Sequence, residues 1–292
     1  MKSVRLAIRG GFAIGLAAVT LLGGAGGTAG ASEITAVYDA YWAGLPAGEI
    51  RLQLDDGAGS YRDRIEISST GLPRLVTHFR GIAEAEGRLT AGQPADPIRY
   101  NAYYDLHKRR NSCISMRFVG RAGATVARRG PHDTSHKPPL AERFRRDAVD
   151  PMTAIERLRE AVRAGETDRR FSIPVYDGAR RFDVIGQIVS GTGVSGTGAT
   201  GGPLQVVLTL RPIAGFKGES SDDGDPDDAP RPVKVTFSGD WRRLPLSLSV
   251  RVFYLPLFVR LDHLCSRSAP CRDVAPALAG RLPDAPPAGQ RW

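Results

Sequence analysis

Residues 244–254 read Leu-Pro-Leu-Ser-Leu-Ser-Val-Arg-Val-Phe-Tyr, the longest regular alternation in the chain. Apolar side chains stand at every even-numbered position of this stretch, and serine or arginine stands at 247, 249 and 251. A period of two predicts a β-strand with one buried face and one solvated face, as is usual in antiparallel sheets. We therefore expect an antiparallel sheet to decide the fold.

The same alternation recurs along most of the chain. Residues 34–42, 50–54, 204–210 and 233–238 each place apolar side chains at every second position. Less regular segments with strand character lie near residues 60–69, 76–90, 97–107, 112–119, 171–176, 180–190 and 257–264. Because amphipathic strands follow one another with few interruptions, the sequence predicts a mainly β fold.

One helix interrupts the strands. Asp150 can cap it, and Pro151 suits its first position. Apolar residues recur at helical spacing at positions 152, 155, 158 and 162, and Gly165 follows as a stop signal. A helix with a single apolar side must bury that side, so we expect it to pack on the sheet.

The N-terminus carries the three parts of a secretory signal peptide. Lys2, Arg5 and Arg9 precede an apolar run from Phe12 to Leu22, and small residues lead to Ala29-Gly30-Ala31. The apolar run is too short to span a bilayer. We expect cleavage after Ala31 and a periplasmic protein that is not integral to the membrane. Residues 1–31 hold three basic and no acidic residues, so their removal lowers the net charge from +9 to +6.

The remaining chain is predicted to form one β-rich domain over residues 32–264. Two stretches within it look like long hairpin loops, a Gly-, Ser- and Thr-rich one at 190–202 and an acidic one at 218–232. Residues 265–292 are rich in proline and alanine towards their end, and we expect a disordered tail there.

The three cysteines are consistent with export. Cys265 and Cys271 are six residues apart and are candidates for a small disulfide loop in an oxidising compartment, with two unpaired thiols as the alternative. Cys113 is the first cysteine of the chain, so no cysteine follows the signal peptide to receive a lipid.

Three stretches match binding motifs in part, but their surroundings argue against a site. Residues 191–196 fit the G-x-G-x-x-G pattern, yet no helix can follow them to bind pyrophosphate. His132 and His136 are flanked by prolines and glycine, and the acidic run at 222–228 lacks the pattern of an EF-hand. A solvated loop is the usual meaning of such a run, with calcium binding as the alternative. We therefore predict no catalytic residue, no cofactor and no metal.

A basic segment lies between His107 and Asp147. It holds eleven lysines and arginines against three acidic residues. The candidate contact residues are Arg109, Arg110, Arg128 and Arg129. Outside the cytoplasm a nucleic acid is not an expected partner, and clustered cations attract anionic surfaces of the envelope instead. Solvated charge on β-loops is the alternative interpretation.

Four stretches together resemble a family of exported bacterial proteins catalogued as domain of unknown function 3108. They are residues 38–48 (YDAYWAGLPAG), 150–155 (DPMTAI), 176–183 (YDGARRFD) and 241–246 (WRRLPL). The resemblance implies a curved antiparallel sheet partly wrapped around a helix, similar to the half-barrel of periplasmic lipoprotein carriers. It supplies no activity and no catalytic residues.

Two functions remain open from the sequence. The first is a non-enzymatic periplasmic binding protein that holds a lipid or another hydrophobic ligand on the apolar side of the curved sheet. The second is an envelope-assembly or structural factor that binds a protein or an anionic polymer through the basic segment. The protein partner and the ligand are not named by the sequence.

Overall fold

Thirteen strands and two helices make up the part of the chain that the computed structural model describes, residues 32–71, 79–105, 111–120, 123–129, 140–165, 170–190, 202–216, 232–252, 254–266 and 271. The strands are β1 (Ser32–Trp42), β2 (Leu45–Gly57), β3 (Ser60–Ser69), β4 (Arg80–Arg88), β5 (Asp96–Asp105), β6 (Asn111–Phe118), β7 (Ala124–Arg129), β8 (Arg170–Tyr176), β9 (Arg181–Ser190), β10 (Leu204–Ala214), β11 (Pro232–Phe237), β12 (Pro245–Val252) and β13 (Leu255–Cys265). The helices are α1 (Glu142–Arg145) and α2 (Pro151–Arg163). The predicted mainly β fold is confirmed.

All thirteen strands belong to one antiparallel sheet, in the order β7-β6-β5-β4-β3-β2-β1-β13-β12-β11-β10-β9-β8. Strands β1 to β7 form one meander and strands β8 to β13 form another. The two meanders meet where β1 pairs with β13, from Thr35 opposite Cys265 to Trp42 opposite Leu257. The first and last strands therefore lie at the centre of the sheet. Its edges, β7 and β8, share no ladder among the described residues.

The sheet curls so that its two edges approach each other. Register shifts in the β1–β13, β4–β5 and β9–β10 ladders mark bulges, which bend and twist a strand locally. Gly178, in the turn between β8 and β9, lies so close to β6 that a Cβ there would stand 2.9 Å from the Cγ2 of Ile114. Tyr176 of β8 belongs to the same buried cluster as Ile114 and Met116 of β6. The result is the expected open, curved sheet around a helix.

Helix α2 begins and ends where the sequence predicts. The Oδ1 of Asp150 accepts hydrogen bonds from the backbone N–H groups of Met152 (2.9 Å) and Thr153 (2.8 Å), and Pro151 occupies the first helical position. The helix ends at Arg163, two residues before Gly165, whose φ of +40° is left-handed. The predicted apolar side of α2 faces the sheet, with Met152 and Val162 fully buried.

Two elements were not predicted. Strand β7 has no alternating pattern of its own, and it forms by pairing with the exposed edge of β6. Helix α1 is a single turn without a buried residue, too short to show helical periodicity. Between α1 and α2, Val149 forms an isolated parallel bridge with Val175 and so extends the edge of the sheet beyond β8.

The predicted β-rich domain ends at residue 264. Strand β13 runs through Cys265, one residue beyond the predicted end of the domain, and Cys271 is held next to it. The two predicted long loops join neighbouring strands, β9 with β10 and β10 with β11. Residues 191–201, 217–231 and 272–292, like the predicted signal peptide, lie outside the described residues.

The Asp150 cap offers a direct test of how α2 is held. Replacing Asp150 with Ala removes the acceptor for two backbone N–H groups in a fully buried position, and we expect the free energy of unfolding to fall by about 1–2 kcal/mol. Asp150→Asn keeps an acceptor oxygen and should lose less. Urea unfolding of residues 32–292 measures both variants, and equal losses would show that the cap does not hold the helix.

Candidate functional site

A cavity of about 360 Å³ lies between α2 and the concave face of the sheet. Strands β1 to β3 and β8 to β13 supply its walls, and the first two turns of α2 supply its floor through Pro151, Ala154, Ile155 and Leu158. Among the lining residues, only Tyr38 and Ser247 carry a polar side-chain atom. The concave face therefore encloses an apolar space.

The cavity arises from the size of the side chains that the alternation turns inward. The walls include Val233, Val235 and Val259, and Ala154 faces them from the helix. These short side chains stand among the larger leucine, isoleucine and phenylalanine side chains of the lining. Protein interiors normally leave few voids larger than a water molecule, so an apolar space of this size is a distinct feature of the fold.

A second side of α2 carries charged side chains and is also buried. Arg159 donates from Nη2 to Oδ2 of Asp56 (3.2 Å) and from Nη1 to Oε2 of Glu156. Its Nε donates to the backbone oxygen of Arg242 (3.0 Å), and Arg163 donates to the other oxygen of Glu156 (3.3 Å). Both Arg159 and Glu156 are almost wholly shielded from solvent. We call Asp56, Asp63, Glu156 and Arg159 the buried ion cluster.

Asp63 is the unusual member of the buried ion cluster. It is fully buried, and neither of its carboxyl oxygens makes a well-formed hydrogen bond within the described part of the chain. One carboxylate oxygen from each of Asp56, Asp63 and Glu156 lies within 4.8 Å of the others. Burial, and then the neighbouring charges of Glu156 and Asp56, raise the pKa of Asp63 well above its usual range, and Arg159 offsets this only in part. The protonated form of Asp63 is therefore favoured.

Three close carboxylates are also the chemistry of a cation site. Here the guanidinium of Arg159 already binds two of them and supplies positive charge to the cluster. Burial also raises the pKa of Glu156, with Arg159 acting in the opposite direction. The arrangement holds α2 against β2 and β3 without requiring a metal.

Further hydrogen bonds join α2 to turns at one end of the sheet. The hydroxyls of Thr153 and Tyr61 are 2.6 Å apart, close to the β2–β3 turn. In the β4–β5 turn, the N–H of Ala95 donates to Glu160 (3.0 Å), and its carbonyl accepts from Arg157 (2.9 Å). In the β11–β12 turn, the backbone oxygens of residues 241 and 242 accept from α2. The helix therefore crosses the end of the sheet that carries these three turns.

The buried ion cluster was missed by the sequence analysis, although a signal exists. Asp56 continues the inward-facing series of Leu52 and Leu54, and Asp63 stands between the inward-facing Tyr61 and Ile65. A carboxylate in the apolar phase of an amphipathic strand indicates a buried partner on another element. The helix offers Arg159 at the edge of its apolar stripe, one turn after Ile155 and one turn before Val162.

The side chains of the four predicted basic contact residues are not among those that the structure describes. Arg109 and Arg110 lie outside the described residues. Arg128 and Arg129 belong to β7, where their backbones pair with Ile114 and Cys113 of β6, and their side chains are not described. His132, His136 and the runs at 191–196 and 222–228 also lie outside the described residues.

The sulfur atoms of Cys265 and Cys271 are bonded to each other in the structure, and their Cα atoms are 5.3 Å apart. His263 stands beside them, so the three residues form a cluster of metal-ligand types. Two sulfurs that are joined in a disulfide are not thiolate ligands. The pair therefore closes the end of β13 onto the segment that follows it.

No helix in the part of the chain that the structure describes has the length and apolarity needed to cross a membrane.

A family model described as "Protein of unknown function (DUF3108)" matches residues 37–254, three quarters of the chain. The chain belongs to this family. The match confirms the resemblance seen in the sequence. It covers the sheet from β1 to the end of β12, including α2 and the whole cavity except its β13 wall.

Among solved structures, the chain is similar to a β-barrel-like protein of domain of unknown function DUF1849 from Brucella abortus. The TM-score is 0.51 at 10% sequence identity, and the match covers 81% of this chain and 98% of the other. At this identity the likeness concerns the fold alone. No curated protein matches the chain.

The raised pKa of Asp63 predicts a specific pH dependence of stability. The protonated carboxyl stabilises the fold fully below about pH 4, the unfolded-state pKa, and this contribution is lost as pH rises through the higher folded-state pKa. Asp63→Asn keeps the shape without the charge. We expect the stability of the variant relative to wild type to increase with pH, by about 1.4 kcal/mol for each unit of pKa shift. Urea unfolding between pH 4.5 and 9 measures this difference, and a difference that is constant with pH would contradict the prediction.

The Cys265–Cys271 disulfide predicts the number of reactive thiols. Protein purified from an oxidising compartment, unfolded and alkylated without reduction, should take up two fewer labels than the same protein after reduction. Intact-mass spectrometry counts the labels, and peptide mapping assigns them. Equal labelling before and after reduction would show that the two thiols are not bridged in the cell.

Proposed function

We propose that this protein is a periplasmic binding protein that holds an apolar ligand, such as an acyl chain, in the cavity between α2 and the sheet. The observation that carries the proposal is the cavity itself, about 360 Å³ and lined almost entirely by hydrocarbon side chains. Pockets for small ligands typically occupy about 300–1,000 Å³ and are lined mainly by apolar groups.

The lining favours a ligand without charge in its buried part. A charged group placed there would lose its hydration without gaining an ion pair, since Tyr38 and Ser247 carry the polar atoms of the lining. Burial raises the pKa of Tyr38, so its hydroxyl stays protonated and can donate one hydrogen bond. An ester or carboxyl oxygen of a lipid is an acceptor of the right kind.

We further propose that the role is binding and not catalysis. The lining offers one hydroxyl from serine and one from tyrosine, with no histidine, carboxylate or lysine beside them to activate a nucleophile. The predicted signal peptide supports a location in the periplasm, where water-insoluble ligands must be shielded in transit between membranes.

The first test is native mass spectrometry of the mature protein purified from its own envelope. We expect a population whose mass exceeds that of residues 32–292 by the mass of a lipid or fatty acid, and we expect denaturation to remove this excess. A delipidated sample should then bind hexadecanoic acid and unfold at a higher temperature in its presence.

A pair of matched variants tests whether the cavity is the binding site. Val233 on β11 faces the cavity, and Val207 on the paired strand β10 has the opposite phase and faces outward; both are half-buried. Val233→Trp fills part of the cavity, so its affinity for hexadecanoic acid should fall by about tenfold or more, which corresponds to 1.4 kcal/mol. Val207→Trp adds the same bulk outside the cavity and should bind like wild type. Equal binding by the two variants would place the ligand elsewhere, and no binding by delipidated wild type would overturn the proposal.

A further inference from the structure

Strand β13 ends beside three side chains of the types that bind metal ions. His263 and Cys265 are two residues apart on β13, where they pair with Val37 and Thr35 of β1. Cys271 is bonded to Cys265. One ring nitrogen of His263 and the two sulfur atoms all lie within 4.8 Å of one another. We call His263, Cys265 and Cys271 the thiol–histidine cluster.

The thiol–histidine cluster lies on the side of the sheet away from the cavity. Ala36 and Tyr38 of β1 belong to the buried core on the concave side. Thr35 and Val37 have the opposite phase on the same strand, and Cys265 and His263 are their partners across the ladder. Directly paired residues of an antiparallel ladder point to the same face. A ligand of the cluster would therefore not compete with a molecule in the cavity.

A bulge brings a carboxylate to His263. Tyr38 pairs with Leu261 and Val37 pairs with His263, so Asp262 has no partner of its own in the β1–β13 ladder. An extra residue in a strand re-aims the side chains around it. Here Oδ2 of Asp262 lies 2.8 Å from Nδ1 of His263, and both side chains are about half exposed. A carboxylate that holds the proton on one ring nitrogen leaves the other nitrogen as a metal ligand, an arrangement common around metal-bound histidines.

The spacing and the chemistry of the three side chains suit a tetrahedral ion. Zinc lies about 2.3 Å from thiolate sulfur and about 2.0–2.1 Å from imidazole nitrogen, so its ligand atoms are about 3.5–3.8 Å apart. This separation falls within the 4.8 Å that bounds the cluster. Thiolate and imidazole select Zn²⁺ or Cu⁺, whereas Ca²⁺ and Mg²⁺ prefer oxygen. Three protein ligands leave the fourth position of the ion open.

The disulfide controls whether these ligands are available. Thiolates bind metals, and sulfurs joined in a disulfide do not. The bridge joins residues only six positions apart, so it constrains the unfolded chain less than a bridge over a long loop. Cys271 is partly exposed to solvent, as attack by an external thiol requires. The bridge is therefore placed to be opened and closed without loss of the fold.

From these observations we propose that the thiol–histidine cluster is a redox-gated site for a thiophilic cation such as Zn²⁺. Two thiol groups of an external reductant give two electrons and two protons to the disulfide and become a disulfide themselves. The two freed thiols release two protons as they bind the ion, and His263 supplies the third ligand. An oxidising disulfide takes the two electrons back, which restores the bridge and expels the ion. The site lies outside the cavity, so the proposal does not rest on the proposed function.

The test titrates the mature chain, residues 32–292, with Co²⁺ in the oxidised state and after reduction with a phosphine. Reduced wild type should bind one equivalent of Co²⁺ and show both thiolate-to-cobalt charge transfer and the d–d bands of a tetrahedral site. Zn²⁺ should displace the cobalt and remove both signals, and Ca²⁺ should not. Oxidised wild type should show neither signal.

Four variants locate the site. Cys271→Ser removes a thiolate ligand and should lose the charge-transfer signal. Cys113→Ser is the matched control and should bind like wild type, because β6 lies six positions from β13 in the strand order. Asp262→Asn keeps the ligands and should weaken Zn²⁺ binding by about tenfold or more, the usual effect of losing the partner of a metal-bound histidine. His263→Gln should weaken it at least as much.

The proposal is overturned if reduced wild type binds Co²⁺ no better than oxidised wild type, or if Cys113→Ser weakens binding as much as Cys271→Ser does. It is also overturned if both His263→Gln and Asp262→Asn bind Zn²⁺ like wild type, because the histidine would then take no part. Urea unfolding of each variant in the absence of metal confirms that a loss of binding is not a loss of fold.

Discussion

The guanidinium of Arg159 is the contact on which the position of α2 depends. It is shielded from solvent, bonded to Glu156 on its own helix, to Asp56 on β2 and to the β11–β12 turn. Each ion in such a cluster loses hydration on folding, so the cluster is weak evidence for a gain in stability, but an uncompensated member would be strongly unfavourable. These partners fix the rotation of α2 about its axis. That rotation turns Ala154 and Leu158 towards the cavity, where they form its floor.

The cavity in turn carries an energetic consequence. The space is partly open, so its apolar walls lack the contacts with protein atoms that a close-packed core would supply. The close packing at both ends of α2 offsets this cost, through the Asp150 cap at one end and the turns that accept from Arg159 and Arg163 at the other. A ligand that fills the space recovers the lost contacts, and its binding and the stability of the fold are therefore coupled.

Local signals in the sequence were sufficient for the strands and for α2, because alternation and helix capping act over a few residues. The pairing of β1 with β13 joins residues more than 200 positions apart, and no local pattern encodes it. Strand β7 was missed because it forms on an existing edge. The concave apolar face was predicted, but the cavity depends on how far small side chains such as Val233 and Ala154 stand from each other across the fold. Arg109 and Arg110, which were proposed as contacts from charge alone, fall outside the described structure. Among the described residues, a clear electrostatic signal comes instead from Asp63, whose pKa is raised by burial and by neighbouring carboxylates.

The meander itself explains why the two ends of the sheet differ. In an antiparallel sheet, successive turns go to alternate ends, so each end receives a separate set of turns that can be composed independently. One set, including Ala95 and the backbone at 241 and 242, presents hydrogen-bonding groups that α2 requires. The other includes Tyr254 and Leu255, which are 90% and 41% exposed and present hydrocarbon to water. A sheet with one end closed by a polar helix contact therefore leaves the other end, towards which the wall residues Leu210 and Val233 lie, as the side from which the ligand that we propose would enter without disrupting the buried ion cluster.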